Sequence, residues 1–271
     1  MSFDFGRVVR RTFQPLKTNP LTFFGLALIL VGLPAVVLGY LQQQATLDML
    51  QGLDGVDEDD PAAVFGTMGG AFGWTLVGLL VSLVTTALLQ GSLIHAAVAD
   101  YRGRKAAIGE SLSTGLRHLV PLVVISILFG LAVTFGLILL VIPGLFILVK
   151  WLMAVPAEVA ENTGIGGAFG RSWQLTKGRW WPIFGLLILY AILAYAVQLL
   201  LAIPLGTMGA FTGTDPVAAV EAATSPLALL IQAISGSITG AIAAAGVAAI
   251  YYELRQDKDG VGVEDLSDVF A

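Results

Sequence analysis

Long stretches almost without charged side chains alternate along this chain with short segments where the charges are concentrated. A helix that crosses the roughly 30 Å hydrocarbon layer of a bilayer needs about 20 mostly apolar residues, because its backbone polar groups must be satisfied within the segment. Each of five stretches is long enough for this, so the pattern predicts membrane-spanning helices. The stretches are 21–41, 61–99, 119–157, 180–214 and 222–252.

Two of these stretches are too long for a single crossing. The stretch 119–157 has 39 residues and would extend about 58 Å as one helix. Pro143-Gly144 lies at its middle, and because proline cannot extend the preceding helix and glycine tolerates a tight reversal, we predict two spans that meet there. In 61–99, the pair Gly69-Gly70 lies too near one end to leave a full span before it. We predict one helix over about 70–99, with a short interfacial piece ahead of it.

The basic residues favour six spans over five. With six spans and the N-terminus in the cytoplasm, 13 of the 14 Lys and Arg residues face the cytoplasm. If 119–157 crossed only once, those 13 would divide into eight on one side and five on the other. Because cytoplasmic segments of membrane proteins carry an excess of Lys and Arg, we predict a multi-pass protein with both termini in the cytoplasm.

Composition narrows the function classes. The chain is 56% apolar and only 12% charged, against roughly 25% charged residues in an ordinary soluble domain. So few charges exclude a soluble enzyme, a disordered chain and a nucleic-acid-binding protein. Cysteine is absent, which excludes disulfides and cysteine-ligated metals. The two histidines do not form a catalytic or metal-binding motif, so we expect no catalytic residue, no metal site and no cofactor.

Short amphipathic segments precede several spans. In 5–17 the apolar residues share one helical face, and a shift of 160 residues reproduces that face and four identities. The identical residues are Gly6, Arg11, Gln14 and Lys17, matched by Gly166, Arg171, Gln174 and Lys177. A fainter copy begins at Ile108. The fold class that follows is an all-α integral membrane protein, with six transmembrane helices arranged as three repeats of one interfacial amphipathic helix and two spans. The single membrane domain, 1–271, divides into units of about 1–99, 100–160 and 161–252, followed by a cytoplasmic tail, 253–271.

The cations of these amphipathic segments are the first candidate functional residues. A helix in the headgroup plane places its basic residues against anionic lipid. One interpretation is that the helices only anchor and orient the spans, and the other is that they form a site for a lipid headgroup or a partner. The candidates are Arg7, Arg10, Arg11, Lys17, Arg171, Lys177 and Arg179.

Lys150 is the one charge well inside an apolar stretch. Charges within a membrane are costly and often functional, so Lys150 is a candidate for a transport pathway or a buried ion pair. The alternative is a snorkelling lysine. It lies six residues after Gly144, about 9 Å along a helix from the predicted outer turn, and a lysine side chain reaches the interface over that distance.

Small residues indicate close helix packing. Gly69 and Gly73 form one small-xxx-small pair, and Gly236 and Gly240 form another in the last span. Such pairs let helix backbones approach closely inside a membrane. They predict packing within the chain, with an interface between two copies as the alternative.

Several motifs resemble a known family. Ile142-Pro143-Gly144, Arg171-Ser172-Trp173, Thr176-Lys177-Gly178 and Tyr251-Tyr252-Glu253-Leu254-Arg255 look like the glycerophosphoryl diester phosphodiesterase membrane-domain family. The resemblance implies about six spans in the cytoplasmic (inner) membrane of a bacterium. It does not imply phosphodiesterase chemistry, since that activity belongs to a separate soluble domain fused to some members.

These observations lead to two hypotheses about function. The first is a non-enzymatic membrane protein that acts as a scaffold, an assembly factor or a lipid-organising component. Its partners would be membrane lipids together with a second copy of the chain or another membrane protein. The second hypothesis is a transporter or flippase of an amphiphilic small molecule or lipid, because repeated units often frame transport sites.

Overall fold

The fold is helical throughout the residues that the computed structural model describes, which are 3–53, 61–209 and 216–260. Six helical segments are long and apolar enough to cross a membrane, which indicates a multi-pass membrane protein and confirms the predicted number of candidate spans. The segments are Pro20–Gly52, Met68–Tyr101, Leu119–Leu139, Val141–Glu161, Trp180–Leu201 and Pro226–Asp259.

Twelve α-helices are described, numbered here in chain order. They are α1 (Phe5–Thr18), α2 (Pro20–Ala27), α3 (Leu33–Leu53), α4 (Pro61–Tyr101), α5 (Ile108–Arg117), α6 (Leu119–Leu139), α7 (Val141–Trp151), α8 (Ala154–Glu161), α9 (Gly164–Thr176), α10 (Trp180–Gly209), α11 (Pro216–Ala223) and α12 (Pro226–Asp259). A π-helical turn, Leu28–Gly32, joins α2 to α3.

The first helix packs against the rest of the protein. Asp4 caps α1 by accepting a hydrogen bond from the backbone N–H of Arg7. The apolar face that the sequence predicts on α1 is largely covered by protein, since Val8, Thr12 and Leu16 are buried and the helix lies mainly against α12. Helix α1 is therefore fixed to the bundle by its own side chains.

The first span contains a local widening with an identifiable cause. Pro34 has no N–H, so the carbonyl four residues earlier has no α-helical partner and the proline ring crowds it. The π-helical turn directly before this proline accommodates the ring. Gly32 in the same turn approaches α12, where an added Cβ would lie 3.3 Å from the carbonyl oxygen of Ala233.

Helix α4 is longer than the sequence predicts. It runs without interruption from Pro61 to Tyr101, so the expected separate interfacial piece ahead of residue 70 is wrong. Gly69 and Gly70 keep their backbone N–H groups, and a glycine inside a helix costs only about 1 kcal/mol. That cost is too small to end a helix whose flanking residues are strongly helical.

The stretch 119–157 does form two antiparallel segments, but they do not meet at Pro143-Gly144. The chain reverses at Leu140, whose backbone is extended at φ −160° and ψ 140°. Pro143 lies in the first turn of α7, where its missing N–H removes no hydrogen bond. Gly144 is helical and lies against α6, because a Cβ on it would be 2.7 Å from the backbone nitrogen of Leu137. Its role is close helix packing and not the turn.

A second break, between α7 and α8, is capped by a side chain of α9. The hydroxyl of Ser172 donates a hydrogen bond to the carbonyl of Lys150 (2.7 Å) and accepts one from the N–H of Met153 (3.1 Å). Helix α8 ends at Asn162, which has the left-handed conformation at φ 49°. The chain then folds back, so that α9 packs along α7 and α8.

The last helix is the centre of the bundle. Ser225 caps α12 and Pro226 is its first residue, while Gly260 follows its end with φ 67°. Helix α12 contacts α1, α3, α4 and α10. It continues to Asp259, so the predicted tail 253–271 begins inside a helix, and its part 261–271 lies outside the described residues.

The two ends of the bundle differ in packing. We call the end formed by α1, the segment 100–107, α9 and the last turns of α12 the charged end. We call the opposite end of α4, α6, α7 and α10 the apolar end, because it exposes many large apolar side chains. Examples are Phe65, Phe72, Leu79, Phe135, Ile138, Ile142, Ile192 and Leu200.

Candidate functional site

The charged end contains a buried carboxylate that binds two arginines of α1. Glu253 of α12 is only 2% exposed. Its carboxylate lies 3.1 Å from Nε of Arg7 and 2.7 Å from Nη1 of Arg11, and it accepts a hydrogen bond from the backbone N–H of Asp4. The guanidinium of Arg11 also lies 4.5 Å from the ring centroid of Tyr252. The i, i+4 spacing of the arginines puts both on the helix face that meets Glu253.

A second ionic cluster joins α8, α9 and α12. Arg171 binds Glu161 at 2.8 Å and also forms an ion pair with Asp259. Arg255 lies 3.6 Å from Glu161, which in addition accepts a hydrogen bond from the hydroxyl of Tyr251. Burial alone would lower the pKa of Arg171, but its hydrogen bonds with Asp259 and Glu161 outweigh burial and raise the pKa above its ordinary value.

A third pair closes the network at the start of α10. Arg179 makes two hydrogen bonds of 2.9 Å with the carboxylate of Asp257. This two-point geometry is the most directional form of an arginine–carboxylate pair. Arg7, Arg11, Arg171 and Arg179 thus all have their charge engaged by carboxylates of this chain. Of the seven predicted headgroup candidates, three have exposed side chains: Arg10, Lys17 and Lys177.

Two of those exposed cations border a cleft on α1, which we call the α1 cleft. Arg10 and Lys17 are seven residues apart, so they lie on one face of the helix, and both are exposed. The cleft has a volume of about 580 Å³. Its lining consists of Val9, Arg10, Phe13, Gln14, Lys17 and Thr18. Apolar side chains beside two cations suit an amphiphile with an anionic headgroup.

Polar contacts to α4 hold the far end of α1 in place. Asp100 accepts hydrogen bonds from the hydroxyl of Thr18 and, at 3.1 Å, from the side-chain amide of Gln14. The hydroxyl of Tyr101 donates to the backbone carbonyl of Arg11 at 3.1 Å. Helix α1 therefore presents the α1 cleft from a position fixed at both ends.

Lys150 lies at the charged end and not near the turn between α6 and α7. Its side chain is 6% exposed, and its ammonium lies 5.0 Å from the ring centroid of Trp173 and 5.6 Å from that of Phe146. Its backbone carbonyl accepts hydrogen bonds from the hydroxyls of Ser172 (2.7 Å) and Thr176 (3.4 Å), so Lys150 packs beside the end of α9, which Lys177 follows directly. Both interpretations of Lys150, a snorkelling lysine and a residue of a pathway or ion pair, stay predictions, and the structure adds that its ammonium lies against Trp173 of α9.

The structure separates the two predicted glycine pairs. A Cβ on Gly240 would lie 3.2 Å from Leu89 of α4, and one on Gly236 would lie 3.7 Å from Val31, so this pair does sit where helices meet. A Cβ on Gly69 or Gly73 would meet no described atom within 4 Å. For Gly69 and Gly73, packing within the chain and an interface between two copies both stay predictions.

The sequence reasoning missed the glycines where α4 and α5 cross. A Cβ on Gly115 would lie 2.9 Å from the carbonyl oxygen of Leu88, and one on Gly91 would lie 3.2 Å from Cα of Gly115. It also missed Glu253 as a partner of α1. The signals were an acid directly after the last apolar stretch and two arginines at i, i+4, but only the fold shows that they meet.

Two further clefts border α3 and are lined mainly by apolar side chains. One of about 450 Å³ lies between α3 and α4 beside Phe65, Met68 and Phe72, and one of about 880 Å³ lies where α3, α11 and α12 meet. In the described residues, no group of three or more His, Cys, Asp or Glu side chains is arranged to hold a metal ion.

Comparison with known proteins gives a family but no activity. No curated protein and no solved structure matches the chain. These comparisons do not test the resemblance to glycerophosphoryl diester phosphodiesterase membrane domains, which stays an expectation. One family model, described as "Domain of unknown function (DUF7847)", matches residues 4–254. Because that match covers nearly the whole chain, the protein belongs to the DUF7847 family.

Proposed function

We propose that this protein is a non-enzymatic component of the bacterial cytoplasmic membrane that organises anionic lipids and serves as a scaffold for other membrane proteins. The observation that supports the proposal is that the basic residues of α1 fall into two groups, one paired and one exposed. Arg7 and Arg11 are held by Glu253, whereas Arg10 and Lys17 stay exposed beside the apolar walls of the α1 cleft. Such an arrangement suits a lipid headgroup.

The proposal includes an orientation and an internal organisation. Cations cluster at the charged end, and membrane proteins keep Lys and Arg on the cytoplasmic side, so we assign the charged end and both termini to the cytoplasm. Each of the short helices α1, α5 and α9 directly precedes a candidate span. This order supports three repeated units in which the short helix lies at the inner surface of the membrane.

The lipid part of the proposal is tested by removing the two exposed cations. Full-length protein is purified from a bilayer of phosphatidylcholine and phosphatidylglycerol, and native mass spectrometry measures how much phosphatidylglycerol stays bound. Each basic residue near an anionic surface contributes about 1 kcal/mol. Arg10→Gln with Lys17→Gln should therefore weaken retention about 30-fold.

The matched control removes the same charge elsewhere at the charged end. Lys105 and Arg117 are both exposed, and neither lines the α1 cleft. Lys105→Gln with Arg117→Gln should leave phosphatidylglycerol retention unchanged. Equal losses in the two double variants would mean that lipid responds only to net charge, and would contradict a site at the α1 cleft.

The scaffold part of the proposal requires a partner surface. An added Cβ on Gly69 or Gly73 would meet no described atom within 4 Å, and small residues let membrane helices approach closely. We propose a second copy of the chain as the partner. Gly69→Leu with Gly73→Leu should shift the protein from dimer to monomer in light scattering. A wild-type protein that is monomeric over the same concentrations would contradict this.

The alternative function is a transporter or flippase of an amphiphile. The specific observation in its favour is Lys150, a buried cation within a candidate span. If Lys150 lines a pathway, Lys150→Leu should abolish lipid movement between the leaflets of reconstituted vesicles while the helical content stays the same. Unchanged movement in the variant would remove the support for this alternative.

A further inference from the structure

We propose that Lys150, Lys177 and Lys258 form a binding site for the phosphate group of an amphiphile, at the place where α7, α9 and the end of α12 meet. The site shares no residue with the α1 cleft and does not depend on it. Lys150 provides the inner wall of the site. Lys177 and Lys258 are exposed and form its rim.

The environment of the Lys150 ammonium favours an anionic ligand. Its side chain is almost completely covered, and it makes no hydrogen bond or ion pair with a described side chain. Its ammonium lies against the rings of Trp173 and Phe146, which are both exposed, so the site opens to the surface. The exposed Lys177 follows the end of α9, the helix that carries Trp173. A covered ammonium beside like charges is costly unless an anion joins it.

Three carboxylates on the elements that meet there, those of Glu161, Asp257 and Asp259, are already engaged by arginines. Asp257 binds Arg179 with two hydrogen bonds. Asp259 pairs with Arg171, which also holds Glu161. The described ion pairs thus match arginines with acids and leave the three lysines without one. An external anion is then the group that offsets their mutual repulsion, and a phosphate suits lysine as a point charge.

An exposed aromatic surface beside the lysines indicates the chemistry of the rest of the ligand. Trp173 is 45% exposed and Phe146 is 40% exposed, so the lysines adjoin an uncovered aromatic surface. The two rings contact each other edge to face, with centroids 5.8 Å apart. A phosphate group attached to an apolar chain would satisfy both the cations and the aromatic surface. A free phosphate would use only the cations.

The test uses the full chain in detergent with Arg10→Gln and Lys17→Gln already introduced, so that the α1 cleft contributes no cation. Isothermal titration measures binding of dioctanoyl phosphatidic acid and, separately, of inorganic phosphate. Lys177→Met with Lys258→Met changes only exposed side chains and should weaken binding of the lipid about 30-fold, since each lysine contributes about 1 kcal/mol. Lys150→Met should abolish saturable binding.

Lys105→Met with Arg117→Met removes equal charge outside the site and should leave the affinity unchanged. If inorganic phosphate competes with the lipid, the phosphate group alone is recognised, and if it does not, the site needs the apolar chain; both results support a phosphate site. Absence of saturable binding, or an affinity that Lys177→Met with Lys258→Met leaves unchanged, would overturn the proposal.

Discussion

The charged end and the apolar end of this bundle differ in whether apolar residues of the same type are buried or exposed. On helix α4, Leu89 is 2% exposed in the protein core, whereas Leu79, ten residues earlier, is 65% exposed. At the charged end, three groups of arginine–carboxylate pairs tie α1, α8, α9, α10 and α12 together. No comparable network joins the helices at the apolar end within the described residues. The charged end is therefore held by the chain itself, while the apolar end depends on lipid or a partner to cover it.

The largest expected effect comes from breaking the ionic network at Glu253. Glu253→Ala leaves Arg7 and Arg11 partly buried without their shared carboxylate, which should lower the free energy of unfolding by about 3–5 kcal/mol. Denaturant unfolding in detergent measures the change. Asp48 is exposed on α3, so Asp48→Ala should change stability by less than about 0.5 kcal/mol. Comparable losses in both variants would contradict a special role for the charged end.

A pair of leucine truncations on α4 tests the packing difference directly. Leu93 is completely buried, and Leu93→Ala should cost about 2–5 kcal/mol through lost contacts and a cavity. Leu80 is 60% exposed, so Leu80→Ala should have an effect within about 0.5 kcal/mol. The two variants are compared by thermal unfolding in the same detergent. If Leu80→Ala lowers the unfolding temperature more than Leu93→Ala does, the assignment of Leu93 to the core and of Leu80 to an uncovered surface is contradicted.

Glycine substitutions sharpen the same comparison with a smaller effect. Gly115→Ala places a methyl group 2.9 Å from the carbonyl of Leu88, which should destabilise the protein by about 1–3 kcal/mol. Gly69→Ala meets open space and gains helix propensity, so it should be neutral or stabilising by up to about 1 kcal/mol. Unfolding midpoints decide the order, and a greater loss at Gly69 would reverse the packing assignment.

The smallest expected effect is a pH dependence at the start of α5. The hydrogen bonds from Arg104 hold the pKa of Glu110 below its ordinary value of 4.5. A lowered pKa favours the ionised form in the folded state, so this stabilisation is present above about pH 4.5 and is lost as the pH falls through the lowered pKa. Both side chains are well exposed, so the contribution should be below about 0.5 kcal/mol.

The variant Arg104→Gln removes the cause of that shift. The difference in unfolding midpoint between pH 7 and pH 4 should become slightly smaller in the variant than in the wild type. A steeper pH dependence in the variant would contradict Arg104 as the main cause of the lowered Glu110 pKa.

The sequence predicted those features that depend on the chain's local chemistry. The long apolar stretches, together with the distribution of basic residues, predicted the six candidate spans, and the amphipathic pattern predicted the buried face of α1. The reversal of the chain at Leu140 was not predictable from residue type, because a leucine there has no turn preference. Likewise, whether an arginine is paired or exposed depends on which acid lies opposite it in the fold. Arg7 and its partner Glu253 are 246 positions apart in the sequence. Such pairings are set by tertiary packing, which local patterns do not encode.

The most direct test of the account is cysteine labelling, which the absence of native cysteine makes simple. Single substitutions Arg10→Cys, Lys105→Cys, Lys177→Cys and Asp48→Cys are made at exposed positions, and a membrane-impermeant maleimide is applied to intact cells and to inverted vesicles. We predict that positions 10, 105 and 177 react only in inverted vesicles and that position 48 reacts only in intact cells. Reaction of positions 10 and 177 from opposite sides would contradict a charged end that lies on one face of the membrane.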